Sequence, residues 1–509
     1  MEERMSGRER EEKLRKDYEE AGQAHVFRFV DSLSEEERER LYSQLEQIDV
    51  KDLNIKYARA AAGLQQKKQY MEKVEPLKEV TKLATASTTE RERWTQLGYR
   101  KIKEGKVAAL VLAGGQGTRL GSDQPKGTYE VGLPSGKSLF QLQAERLLKV
   151  QELAAHATGV ETTTVMWYVM TSDATDLPTR DYFKNHNYFG LKKEHIFFFV
   201  QGTLPCLTPE GKIIMQSKEE VSSAPDGNGG LFHALERSGA LADMKSRGVE
   251  YLFQYSVDNI LIKMADPTFA GFLYEQNADC GCKVVAKTRE NELVGVVCLH
   301  DGKYTVLEYS EIAPELSRLR NESTGELVFN AAHLCINTFR IDFLEKAAST
   351  YASLLTHHVA KRPVPAIDDK GASQTVNGWK LELFIFDVFG FAEKLVAFEV
   401  PREQEFSPLK NGAESLVDCP RTCRLHLSRL HKSFIQAAGG KIVQLQHKKK
   451  PKRRNGEEKE AAEEEEKEED LIYTVEVSPL LSYAGEGLEA TCQGKVYELK
   501  PGVPLLLSP

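Results

Sequence analysis

The sequence predicts an α/β protein with a central doubly wound, Rossmann-like domain, a helical N-terminal region and a smaller β-rich C-terminal lobe. Three observations carry that prediction. The run Val107-Ala-Ala-Leu-Val-Leu112 is continuously apolar, as a strand buried on both faces of a parallel sheet must be. Further strand-like runs at Thr164–Met170, His195–Val200, Tyr251–Tyr255 and Lys283–Lys287 alternate with helical segments, the pattern of a doubly wound sheet. A glycine-rich stretch follows the first run directly, where open α/β sheets place their ligands.

The remaining elements fall into order around that domain. The chain of 509 residues exceeds what one core organises, so two or three domains are expected. Residues 1–100 read as helical and surface-charged; Ser34 and Glu37 fit a capping box before a helix whose apolar face includes Leu41, Leu45 and Ile48. Residues 101–399 hold the alternating pattern. In residues 400–509, short β-like stretches and turn residues replace it. Within that lobe, the basic run 447–454 is followed by Glu457–Asp470, in which ten acids and two lysines surround two alanines. Such a block builds no core and reads as a disordered surface insertion over 447–470, a place for a protein partner to dock.

Composition sets further bounds. A net charge of −8 gives no general attraction to nucleic acid, and none is expected as a partner. No run of about 18 apolar residues is present, so no membrane span is expected, and the charged start lacks the apolar stretch of a signal peptide. The 8 cysteines are scattered, and neither Cys280-Gly-Cys282 nor Cys419–Cys423 has a second pair at zinc-site spacing. Free or structural thiols and a cytoplasmic location follow.

The glycine-rich stretch reads Leu112-Ala-Gly-Gly-Gln-Gly-Thr-Arg-Leu-Gly-Ser-Asp-Gln-Pro-Lys126. Gly114, Gly115 and Gly117 remove side chains that would hold the backbone away from a ligand, and they permit positive φ. Successive N–H groups then converge on phosphate oxygens, and Arg119 and Lys126 add positive charge suited to a triphosphate. A dinucleotide loop fits less well, because its third glycine comes one residue late and Pro125 and Gly127 interrupt the helix it requires. The stretch Gly132-Leu-Pro-Ser-Gly136-Lys137-Ser138 has a spacer one residue too short for a Walker loop. Ser138 reads instead as a helix cap, with Gln141 at the capping-box position and Phe140, Ala144, Leu147 and Leu148 facing inward.

The loop, with Pro125-Lys126-Gly127, resembles the nucleotide loop of eukaryotic UDP-N-acetylhexosamine pyrophosphorylases. The resemblance extends, in order, through Gln201–Pro205, Ala224–Leu231, Val257–Asn259, Glu308–Ile312, Phe406–Asn411 and Ser478–Leu488. It implies a Rossmann-like, GT-A-like nucleotidyltransferase domain and transfer of UMP from UTP to an N-acetylhexosamine 1-phosphate, with Mg²⁺ as cofactor. Arg119 and Lys126 are then the catalytic phosphate-binding pair. The resemblance places the nucleotide against Leu112, Ala113, Gly114, Gly115, Lys126, Gln201, Gly227, Asp258 and Lys380. Asp258, at a strand end, suits a magnesium ligand, and the Gln201 amide can donate to and accept from uracil at once. Asn228, Glu308, Tyr309, His333 and Lys410 correspond to contacts with the sugar phosphate.

One segment departs from the family pattern. Where the family reads Phe-Asn-Ala-Gly-Asn, this chain has Phe329-Asn-Ala-Ala332-His333. Histidine is larger and presents a different donor and acceptor set, so the sugar half of the site is expected to differ while the nucleotide half is complete. Active transfer to a hexosamine phosphate is the expectation; a weakly active nucleotide-binding scaffold is the alternative.

Overall fold

The computed structural model describes residues 7–65, 71–445 and 473–509. The charged insertion at 447–470 lies outside them.

The main sheet is built from β1 (Thr81–Lys82), β2 (Val107–Leu112), β3 (Trp167–Thr171), β4 (Ile196–Val200), β5 (Tyr251–Ser256), β6 (Cys280–Ala286), β7 (Ala331–Arg340) and β8 (Leu395–Glu399), with three further strands joined to it through β7. Their order across the sheet is β1-β8-β6-β7-β5-β2-β3-β4. Strand β2 lies parallel to β3 and β5, β3 to β4, and β8 to β6 and β1. Strand β7 alone on this path runs antiparallel to both neighbours, β5 and β6. The sheet is therefore dominated by parallel pairs but mixed. The reversal comes from a strand that the sequence disguises: His333, Asn337, Thr338 and Arg340 interrupt its apolar run.

Both faces are covered. Along β2, Val107, Ala109 and Val111 enter one apolar cluster while Ala108 and Leu110 enter the other, which is why the run is continuous rather than alternating. Helix α1 (Gly7–Glu20), α2 (Glu35–Glu46) and α3 (Val50–Gln65) form the N-terminal region, and α2 opens with the predicted Ser34–Glu37 capping box. Their apolar faces pack on Leu207, Ile213, Met215, Val221 and Leu381, so the region clasps the central domain. Gln23 fixes that contact, donating to the Gly211 carbonyl at 2.8 Å and accepting from the Ile213 N–H at 3.0 Å.

Helix α4 (Thr88–Lys103) crosses α6 (Pro267–Gln276) on one side and packs against α5 (Leu139–Thr158) on the other, all three covering the same face of the sheet. Ser138 caps α5, accepting from the Gln141 N–H at 3.3 Å, while the Gln141 side chain turns down the helix to Glu145 instead of closing a capping box. The α4–α6 crossing is close enough that a Cβ on Gly271 would lie 1.8 Å from the Trp94 carbonyl oxygen, and one on Gly98 1.9 Å from that of Pro267. Both obstacles are backbone, so neither moves aside cheaply. Gly271→Ala is expected to destabilise the fold by about 3 kcal/mol, at the upper end of overpacking costs. Urea unfolding measures it, and an unchanged midpoint would mean that the two helices part freely.

The C-terminal region contains the short strands expected of it, in two parallel pairs, Lys441–Gln444 with Val496–Leu499 and Val475–Val477 with Leu505–Leu507. The largest of its described elements is nevertheless a helix, α7 (Pro420–Ala437), whose apolar stripe is masked in the sequence by interspersed basic residues. Ser135 donates to Glu476 from both its N–H and its hydroxyl, at 2.9 and 2.7 Å, and Lys137 donates to Glu145 at 2.6 Å. The Walker-like stretch therefore docks the C-terminal strands. Among the described residues no helix is long and apolar enough to cross a membrane.

Candidate active site

The glycine-rich loop leaves the carboxyl end of β2 and returns on itself. Gly117 donates to the Gln124 carbonyl at 2.9 Å, and Lys126 donates its backbone N–H to the Gly115 carbonyl at 3.0 Å. Thr118–Leu120 forms a single 3₁₀ turn, not the helix of a dinucleotide site. Positive φ is used at Gly121 (+76°), whereas Gly114, Gly115 and Gly117 are not in that region. The need for glycine at 114 is steric: a Cβ there would lie 2.8 Å from Gln201 Nε2. Leu112 is half-buried, Ala113 buried and Gly115 exposed, so the backbone faces outward as it passes under the Gln201 amide. Ser172, beyond β3, steadies this point by donating to the Gly114 carbonyl at 2.7 Å.

The second group of predicted residues assembles at the ends of β2 and β5. Lys126 Nζ lies 3.3 Å from the Leu409 carbonyl and 4.0 Å from Asp258 Oδ2. The segment carrying Leu409 and Lys410 is held there by Asn259. Its Nδ2 donates to the Glu405 carbonyl at 2.7 Å, and its Oδ1 accepts from the Ser407 N–H at 2.9 Å. Leu409 itself donates to the Asp258 carbonyl at 2.9 Å. Arg119 is exposed on its turn, with its backbone against Gly412; among the described residues its guanidinium has no ion-pair partner.

The third group lies around Asn228. Gly227, at φ +87°, turns the chain so that Asn228 Oδ1 accepts from the Ile385 N–H at 2.9 Å, while its Nδ2 comes within 4.0 Å of Cys335 Sγ. Cys335 occupies a bulge in β7 between His333 and Asn337 and holds φ at +55°, a strained value for a residue with a Cβ. Burial raises its thiol pKa, with Asp258 and Glu308 among the negative charges acting on it. Glu308 follows the strand Lys303–Leu307; burial and Glu311 raise its pKa, and Lys410 opposes them. Asn228, Cys335, Glu308, Lys410 and Asp258 thus share one neighbourhood.

Three predicted residues stand differently. Tyr309 is 48% exposed. Lys380 sits in the hairpin His358–Ile367/Ser373–Glu382, opposite Ala360, and acts electrostatically on Cys206 and Glu382. His333 is buried, 8% exposed, and meets Phe386 and Phe389 edge-on at 5.7 and 6.0 Å. Asn337 donates to Gln254 Oε1 at 2.7 Å, so its Oδ1 receives the proton of His333 Nε2 at 2.8 Å. Burial lowers the His333 pKa to about 4, leaving a neutral ring whose Nδ1 is an acceptor only.

Sequence reasoning passed over several participants. Asp226 is buried beside Gly202, with burial raising its pKa to about 6; the positions a Cβ would take on Gly202 and Gly230 are filled by its carboxyl group. Asp226 and Asn259 lie inside recognisable motifs, but nothing local distinguishes their packing roles. Cys335 carries no sequence signal, since its importance arises from the bulge.

The profile of the family described as UTP–glucose-1-phosphate uridylyltransferase matches residues 53–453. The chain belongs to that family. Within it, the chain is 43% identical to UDP-N-acetylhexosamine pyrophosphorylase-like protein 1 of Xenopus tropicalis, over 97% of this chain and 96% of that protein. It is 38% identical to the UDP-N-acetylglucosamine pyrophosphorylase of Saccharomyces cerevisiae, over 94% of this chain and 96% of the yeast protein. Among solved structures, the uridine diphosphate N-acetylglucosamine pyrophosphorylase of Trypanosoma brucei superposes with a TM-score of 0.82 at 28% identity, covering 100% of this chain and 99% of that one. The uridylyltransferase family match spans the glycine-rich loop, Asp258 and the Leu409–Lys410 segment together.

Proposed function

We propose that this protein is a uridylyltransferase that joins UTP to an N-acetylhexosamine 1-phosphate, giving UDP-N-acetylhexosamine and pyrophosphate, in the cytosol. The observation that carries this reading is the meeting of Lys126, Asp258 and the Leu409–Lys410 segment at the mouth of the glycine-rich loop. Near-full-length similarity to proteins named UDP-N-acetylglucosamine pyrophosphorylase supports it.

In the reaction, a phosphate oxygen of the sugar 1-phosphate attacks the α-phosphorus of UTP. The bond from that phosphorus to the bridging oxygen of the β-phosphate breaks, and pyrophosphate leaves with the electron pair. The nucleophile is already an anion, so no base need take a proton. The protein's task is alignment and charge neutralisation. Gln201 and the backbone from Leu112 to Gly115, with Gly227, receive uracil and ribose. Lys126 bears on the α-phosphate, Arg119 on the departing pyrophosphate, and Lys380 on the nucleotide from the hairpin. Asn228, Glu308, Tyr309 and Lys410 receive the sugar phosphate, with His333 closing the pocket as a neutral wall.

Asp258 fits a magnesium ion of the kind that binds through one carboxylate and takes its other ligands from substrate phosphates and water. Among the described residues no cluster of three or more metal-binding side chains competes for that role. Bound there, the ion supplies further positive charge to the crowded phosphates.

Purified protein given UTP, Mg²⁺ and a panel of hexosamine 1-phosphates is expected to release pyrophosphate, with N-acetylglucosamine or N-acetylgalactosamine 1-phosphate preferred over glucose 1-phosphate. Clear UTP binding with no pyrophosphate from any sugar would transfer the protein to the nucleotide-binding scaffold class.

A further inference from the structure

His358 begins the first strand of the hairpin, and nothing in the reaction above uses it. Its ring lies between two acids from different segments: Nε2 is 3.1 Å from Asp387 Oδ1, and Nδ1 is 3.4 Å from Glu311 Oε1. One face lies against Phe384, with ring centroids 4.4 Å apart. Burial disfavours the charged ring, but the bonds to Asp387 and Glu311 outweigh it and raise the pKa to about 10. The other titratable groups facing it are Glu308, Glu382 and His357.

The two acids matter because of what they carry. Glu311 closes a tight turn onto Glu308, donating its N–H to the Glu308 carbonyl at 2.8 Å, and Ile312 does the same at 3.0 Å. Asp387 Oδ2 accepts from the Phe384 N–H at 2.7 Å and so shapes the turn Ile385–Phe391. The first residue of that turn, Ile385, donates to Asn228 Oδ1 at 2.9 Å. One ring therefore joins the turn that presents Glu308 to the turn that fixes Asn228. Without its charge, Glu308, Glu311 and Asp387 would crowd three carboxyl groups with Lys410 as the opposing cation on Glu308.

We propose that His358 is a positioning residue for the sugar phosphate, a cationic tie that holds the Glu308–Ile312 and Ile385–Phe391 turns in fixed relation. This rests on the transferase reading given above. The tie touches neither Gln201 nor the glycine-rich loop, and Lys380 is held on the hairpin by its own ladder opposite Ala360, so the loss falls chiefly on the sugar.

The test compares the full chain with His358→Gln, His358→Arg and Asp387→Asn. Pyrophosphate release is measured with each substrate varied in turn, UTP and UDP-N-acetylglucosamine binding by calorimetry, and Tm in parallel. His358→Gln and Asp387→Asn should raise KM for the hexosamine phosphate about tenfold and leave KM for UTP within about twofold, the pattern of lost binding at one substrate alone. His358→Arg should recover most of the loss, since a guanidinium offers donors to both carboxylates. An unmoved sugar KM, parallel rises for both substrates with a falling Tm, or equal defects in the Gln and Arg variants would overturn the proposal. If the wild type releases no pyrophosphate with any sugar, the transferase reading fails by itself. The tie is then judged on UDP-N-acetylglucosamine binding: weaker binding to His358→Gln supports it, and equal or absent binding in the wild type overturns it.

Discussion

Arg119→Ala is expected to lower kcat/KM for pyrophosphate release by about 10²–10³, the cost of removing one preorganised donor from a developing oxyanion. Stability should stay within about 0.5 kcal/mol, because the side chain is exposed and has no ion-pair partner among the described residues. Lys126→Ala should cost at least as much activity. Lys126 reaches both the Leu409 carbonyl and the neighbourhood of Asp258, so its removal also takes a positive charge from beside that carboxylate and the incoming phosphates. Paired rate and melting measurements separate the two effects. Full activity in Arg119→Ala would remove that residue from the site, and a large drop in Tm would recast it as structural.

What the sequence discloses of this fold follows the physical character of each element. Strands β2, β3 and β5 are legible because burial on both faces demands largely apolar runs, and strand ends shift where pairing rather than hydropathy sets the limit. The run read as Thr164–Met170 is strand only from Trp167, although Ala109 already bonds to the Met166 carbonyl. Strand β7 escapes because it carries polar residues in the interior, two of which bond to each other and, through Asn337, to Gln254 of β5. His333, Asn337 and Gln254 form a buried chain, and buried polar groups so paired look, in sequence, like exposed ones. Helix α7 is obscured by basic side chains interspersed along it, some of which, such as Lys432, are themselves buried.

The same distinction divides the site. Gly114, Gln201, Lys126 and Asp258 lie in contiguous motifs at strand ends, where local pattern and function coincide. Cys335 and His358 acquire their positions from contacts that are remote in sequence: 107 residues separate Asn228 from Cys335, and 29 separate His358 from Asp387. No local window contains such information. His333 falls between the two cases. Its departure from the family pattern is visible in sequence, but only the structure shows its Nε2 committed to Asn337 and its ring set against two phenylalanines.

Lys283→Met is expected to destabilise the fold by about 3–5 kcal/mol, the usual consequence of removing one partner from a buried ionic cluster. Lys283, on β6, is fully buried and donates to Asp266 at 2.5 Å and to Glu405, both also buried. Lys263 lies 3.3 Å from Glu405 Oε1 and would remain, so Asp266 suffers most from the loss. Burial pushes the Asp266 pKa upward, but Lys283 and Lys263 overcome this and hold it below the usual value; the two acids likewise hold the lysine above its own. A depressed carboxylate stabilises above its unfolded pKa of about 3.9, and a raised lysine stabilises below about 10.4. The difference between wild type and variant should therefore be largest between neutral pH and about pH 9, shrinking in acid as Asp266 protonates, at higher pH in the variant because it lacks Lys283, and in alkali as Lys283 loses its proton. Urea unfolding across that range measures it, and a difference below about 1 kcal/mol at neutral pH would show that the cluster contributes no more than an exposed pair. The consequence reaches the site. The Glu405 carbonyl receives the Asn259 amide that holds the Leu409–Lys410 segment against Asp258, so a loosened Glu405 frees the segment on which Lys126 rests. Lys283→Met should accordingly lower kcat/KM even at temperatures where the variant remains folded, although Lys283 is not among the residues assigned to either substrate.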